Sequence, residues 1–91
     1  SHFRDRFDYA YTGLGIYFIN GRNIVVDVIK DSPAEKGGFK IDDEIISVDN
    51  NFSGNIQQYK NMLQVPNQKL SVIVKREKEL LKLTMKTKRI Y

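Results

Sequence analysis

A chain of 91 residues is sized for one compact domain. With 41% hydrophobic and 29% charged residues it has the balance of a globular unit, which excludes a disordered tail. There is no cysteine, which excludes disulfides and thiolate chemistry and leaves the compartment open; the net charge is +4, and no apolar run approaches the about 20 residues of a membrane span.

The segment Phe3 to Tyr11 is aromatic and charged and is expected to be extended. "GLGI", Gly13 to Ile16, opens a short apolar strand that runs to Ile19. Asn20-Gly21 is the strongest hairpin signal in the chain, and the β-branched run "IVVDVI", Ile24 to Ile29, is its second strand. In "KDSPAEKGGFK" Ser32 is placed to cap a helix, Pro33 suits its first position, and Glu35 completes a capping box. Gly37-Gly38 stops that helix after little more than one turn, and Phe39 and Ile41 are expected to enter the core.

Ile45, Ile46 and Val48 make the next buried strand, closed by a turn at Asp49-Asn50-Asn51. A longer helix follows, with Asn55 as its cap and Gln58 at the reciprocal position. Ile56, Tyr59, Met62 and Leu63 recur on it at helical spacing, and Val65-Pro66 ends it. Leu70 to Lys75 and Leu81 to Lys88 are the closing strands. From Lys75 to Arg89 there are seven bases and two acids, so the positive excess sits on the last hairpin. Lysines on an exposed edge strand keep it soluble and block sheet-to-sheet pairing. A nucleic-acid partner is disfavoured, because no aromatic is interleaved with these bases. The pattern predicts a small antiparallel α+β domain, a partly open barrel or sandwich of five to six strands capped by one short and one longer helix.

Taken together, "GLGI" before a strand and "DSPAEKGGFKIDDEIISVDN" after it resemble the PDZ family. The likeness runs through Ser32-Pro33-Ala34, Gly38-Phe39, Asp43-Glu44-Ile45 and Asp49-Asn50, and covers about Phe7 to Ile90. The sequence departs from the family at three points: Asp42 stands where a glycine is usual, which predicts a distorted turn, Gly37 replaces a common alanine, which predicts a weaker short helix, and Asn50-Asn51 replaces Asn-Gly, a turn expected to survive because Asn tolerates left-handed geometry. "RFDYAYTGL" and "LKLTMKTKRI" are also similar to the PDZ modules that close retropepsin-like aspartic proteases of Bacteroidetes-type bacteria. That resemblance implies a native end at Tyr91, an upstream protease domain as partner and a periplasmic or cell-envelope location; the PDZ domain is expected over 7–91, with a tag remnant or linker over 1–6.

Physically, a Gly-x-Gly loop directs successive N–H groups into one concavity that binds anions. A phosphate loop adds a lysine or a helix N-terminus, and here Gly15-Ile16 runs into a strand instead. The loop Gly13, Leu14, Gly15 and Ile16 therefore suits a peptide carboxylate. The resemblance implies a groove between the strand Ile16, Tyr17, Phe18, Ile19 and the long helix at Ile56, Tyr59 or Lys60, and Leu63, with Met62 in the core. Many PDZ domains carry a histidine where Ile56 stands, so the ligand is expected to be apolar two residues before its end.

No catalytic constellation is expected: His2 is the only histidine and lies near the start of the chain. Asp42, Asp43 and Glu44 read as a solvated turn and not as a metal site, so neither metal nor cofactor is expected. The expectation is a monomeric, non-catalytic module that captures C-termini or extended segments and recruits substrate to, or regulates, an attached protease. The alternative is a domain that packs on its own protease and binds no free peptide.

Overall fold

The computed structural model describes residues 11–90, so the expectations for residues 1–10 and for Tyr91 lie outside the described residues. The elements are β1 (Leu14–Ile19), β2 (Arg22–Val28), α1 (Pro33–Lys36), β3 (Glu44–Val48), α2 (Ile56–Leu63), β4 (Lys69–Arg76) and β5 (Glu79–Lys86). All neighbours are antiparallel, in the order β1-β2-β3-β4-β5. The result is the expected α+β fold with five strands in an open sheet. Among the described residues no helix is long and apolar enough to cross a membrane.

Local chemistry explains the joints. Ile19 pairs with Arg22 across Asn20-Gly21, whose φ angles of 52° and 76° suit a two-residue turn that follows the strand twist. Between Gly15 and Ile16 the β1–β2 register shifts, leaving Val26 without an opposite residue. This bulge bends the ribbon where the glycine loop passes into the strand. On β5 the inward residues Leu81, Leu83 and Met85 alternate with exposed Lys82, Thr84 and Lys86, as an edge strand requires.

The core unites Leu14, Ile16, Val25, Ile45, Val72, Val74 and Met85 of the sheet with Ala34 of α1 and Tyr59 and Leu63 of α2. Each of the Leu, Ile, Val and Met side chains among them contributes about 1.5–3 kcal/mol by leaving water.

Both helices are capped as expected on one side only. Ser32 Oγ accepts from Glu35 N at 3.2 Å, but the Glu35 carboxylate accepts from Asp31 N, one residue upstream of the cap. Asn55 Oδ1 accepts from Gln57 N and Gln58 N at 3.0 and 3.1 Å. Gln58 Oε1 turns away from the cap and accepts from Asn51 Nδ2 and Ser53 Oγ. Neither capping box is reciprocal, because a nearer donor claims the second side chain.

Two expected weaknesses are corrected. Asp42 adopts φ 78° and donates its N–H to Val25 O at 2.8 Å, so the turn keeps the left-handed shape a glycine would give it; aspartate tolerates that region better than most residues. Ile41, expected in the core, is exposed on that turn. Gly37 is set by close approach: a Cβ there would stand 2.7 Å from the Thr84 carbonyl oxygen of β5. Gly37→Ala is therefore expected to destabilise the domain by about 1–3 kcal/mol through overpacking, despite alanine's better helix propensity. A urea midpoint equal to or above that of the parent would refute this.

Candidate functional site

The glycine loop is fixed from three directions. Thr12 O accepts from Ala34 N at 2.9 Å, Gly13 O accepts from Ile29 N at 2.9 Å, and Tyr11 O accepts from Lys88 N at 3.1 Å. Gly13 has φ 82°, and a Cβ on it would meet Ser32 Cβ at 2.2 Å. Ser32 thus caps α1 and also forms the wall against which the loop closes. The first expected carboxylate donor is already engaged: Leu14 N donates to Thr12 Oγ1 at 3.0 Å, inside a loop where Thr12 is 1% exposed. This is a serine/threonine-type turn, in which a hydroxyl stands in for a backbone acceptor. In this arrangement the N–H groups of the loop do not all face one open concavity.

Along β1, Ile16 is buried, Tyr17 is half-buried, and Phe18 and Ile19 are 55% and 42% exposed. Ile16 and Phe18 share one face by strand alternation, and Asn23 of β2 is paired with Phe18. Asn23 is buried, and its Nδ2 donates to Gly54 O at 3.1 Å, just before the α2 cap. That bond ties the start of α2 to the far end of β1. Asn23 Oδ1 is buried without a hydrogen-bond partner among the described residues.

On α2 the expected lining divides. Tyr59 and Leu63, at i and i+4, are both fully buried against the sheet and belong to the core, a correction to their expected place in the groove. The Tyr59 hydroxyl accepts from Gly54 N at 3.0 Å and donates to Asn51 O at 2.8 Å, which locks the helix to the turn after β3. Ile56 and Lys60 form the adjacent i, i+4 row and are half-buried, so they retain surface that a ligand can meet. Met62, expected in the core, is half-buried and packs on the core's margin.

The acidic run 42–44 is also different from expectation. Asp43 is 1% exposed, and both its oxygens are held by Arg76, through Nε and Nη2 at 2.8 Å each. Oδ2 also accepts from Lys40 N, and Arg76 Nη2 donates to Gly38 O at 2.8 Å. The hydrogen bonds to Asp43 hold the guanidinium pKa above its ordinary value, against the desolvation that lowers it and with the carboxylate's charge adding to the rise. Both values lie above any working pH, so the arginine's contribution, present below them, is not lost in that range. Sequence reasoning missed Thr12, Asn23 and this pair. The available signal was a polar residue beside an apolar strand at Asn23, and a threonine two residues before a loop N–H at Thr12.

Residues 24–76 match the family described as PDZ domain. No curated protein matches the chain. Among solved structures, the HtrA-type protease AlgW with decapeptide is similar with a TM-score of 0.80 and 21% identity, over 90% of this chain and 30% of that one. The serine endoprotease from Yersinia pestis gives 0.74 and 19% over 90% and 29%. The photosystem II D1 C-terminal processing protease gives 0.76 and 19% over 90% and 24%. The chain spans less than a third of these proteins, and at such identities the likeness is one of fold. With the family match extending over more than half of its length, from β2 through β4, the chain belongs to the PDZ family.

Proposed function

We propose that the chain is a non-catalytic peptide-binding module, with its folded unit over 7–91, that adds an extended segment or a C-terminus to β1 as a further strand. The observation that carries this reading is the open edge. Among the described residues β1 pairs only with β2, and Asn23 fastens the start of α2 beside its far end. The AlgW structure, solved with a decapeptide, supports it by analogy of fold. Ile56 offers no partner to a ligand hydroxyl, and an unpaired hydroxyl there costs about 1–3 kcal/mol, which favours an apolar ligand residue. The attached protease is a proposal of the same kind. Its retropepsin-like, Bacteroidetes-type form is tested by the chain upstream of Ser1, which is then expected to carry Asp-Thr-Gly or Asp-Ser-Gly.

A second reading, docking on its own protease without free peptide, is favoured by one observation: the Leu14 N–H is closed onto Thr12. Calorimetric titration with C-terminal peptides as free acid and as amide separates the two. Each N–H to carboxylate bond contributes about 1.5–3 kcal/mol, so the acid is expected to bind about tenfold or more tightly. Thr12→Val keeps the shape and frees the Leu14 N–H, which is expected to tighten acid binding about fivefold, since a net hydrogen bond is worth about 1 kcal/mol. Equal affinities for acid and amide would favour the docking reading. Weaker acid binding by the valine variant would show that the hydroxyl donates to the ligand.

A further inference from the structure

We infer that the cleft between α1 and β5 is a second docking site, which takes an acidic segment of a partner protein bearing one apolar side chain. The cleft measures about 370 Å³, within the about 300–1,000 Å³ of ligand pockets. It is lined by Pro33 and Met85, both largely buried, by Asn67 and Thr84, and by Gly37, which brings no side chain into it. Three lysines, Lys36, Lys86 and Lys88, line the same space. Neither the Arg22–Glu44 nor the Asp43–Arg76 ion pair involves any of the three. The Glu35 side chain beside Lys36 is turned to Asp31 N. Lys88 is shared with an adjoining cleft of about 440 Å³, lined by Lys30, Asp31 and Arg89 among others.

Solubility of an edge strand accounts for Lys82, which lies outside the cleft, but not for three lysines gathered around one cleft, one of them on α1. Acidic groups relieve the repulsion among these cations and steer encounter, while the aliphatic stems of the lysines, over the edges of Pro33 and Met85, meet one aliphatic or aromatic side chain. Nucleobases fit less well, since no aromatic among the described residues lines the cleft for stacking. None of the lining residues belongs to β1 or α2, so this site and the proposed peptide groove are separate.

The test is a nuclear magnetic resonance titration of the 91-residue chain. The probe is a short amidated peptide of Asp and Glu around a single central Leu, added at low and at physiological salt. Shifts are expected at Lys36, Gly37 and Thr84 to Lys88, with affinity falling as salt rises. The triple variant Lys36→Glu, Lys86→Glu, Lys88→Glu is expected to lose about tenfold or more in affinity, and the milder Lys88→Gln about threefold. Replacing the central Leu by Ser is expected to weaken binding about threefold or more. Shifts centred on Leu14 to Ile19, unchanged affinity in both lysine variants, indifference to the central Leu, or equal binding of a short DNA duplex at the same residues would each overturn the proposal.

Discussion

Arg76→Met is expected to lower the unfolding free energy by about 3–5 kcal/mol, because it strands a buried carboxylate. Asp43, 1% exposed, would keep only the Lys40 N–H as a donor, while the Gly38 carbonyl would lose the guanidinium as well. The arginine side chain is 27% exposed, so the reverse change, Asp43→Asn, is expected to cost less: water reaches the guanidinium more easily than the carboxylate. Arg76→Lys does not rescue, since one ammonium cannot supply the parallel fork and the third bond together. The double variant Asp43→Asn, Arg76→Met removes both charges and is expected to be more stable than Arg76→Met alone. Urea unfolding of the four variants decides the matter. A loss below about 1 kcal/mol for Arg76→Met would place the pair with ordinary surface ion pairs.

Gly13→Ala is the second substitution with a large effect. The left-handed backbone penalises alanine by about 1–2 kcal/mol, and the clash with Ser32 adds about 1–3 kcal/mol of overpacking. The Ser32 atoms in the way are Cβ and Oγ, at 2.2 and 2.3 Å. Ser32→Ala therefore gives no relief in the Gly13→Ala background, because the Cβ stays. Ser32→Gly relieves the steric part while weakening the α1 cap. Thermal unfolding of the single and double variants reads these contributions apart. The same substitution should abolish capture of a peptide carboxylate, since the loop cannot close in the same shape. A Gly13→Ala chain with parental stability would mean that the loop relaxes at no cost and that its shape is not set by this contact.

Much of the fold was readable from local rules. The Asn20-Gly21 hairpin, the caps Ser32 and Asn55 and the β-branched strands follow from short-range sterics and hydrogen bonding, which the sequence displays directly. What escaped depends on distant partners. Asp43 looks like its neighbours Asp42 and Glu44 until Arg76, 33 residues later, is brought against it. Tyr59 and Leu63 carry the same helical period whether they face a groove or a core, and only the position of the sheet chooses between them. Gly37 reads as a poor helix former, yet the Thr84 carbonyl that excludes a side chain lies on β5. In the site, Gly13 to Ile16 was legible as a glycine loop. Its closure onto Thr12 was not, because a hydroxyl two residues away competes silently with any ligand.

The Asp43–Arg76 clamp gives this domain a long-range fastening of a particular kind. It closes 33 residues of chain, as a cross-link would, in a protein without cysteine. A disulfide acts largely by restricting the unfolded chain and depends on an oxidant to form. The carboxylate–guanidinium clamp leaves the unfolded chain unrestricted and forms only when the strands meet. Its assembly needs neither oxidant nor isomerase, and thiol reagents do not undo it. The clamp can therefore form on either side of a redox boundary.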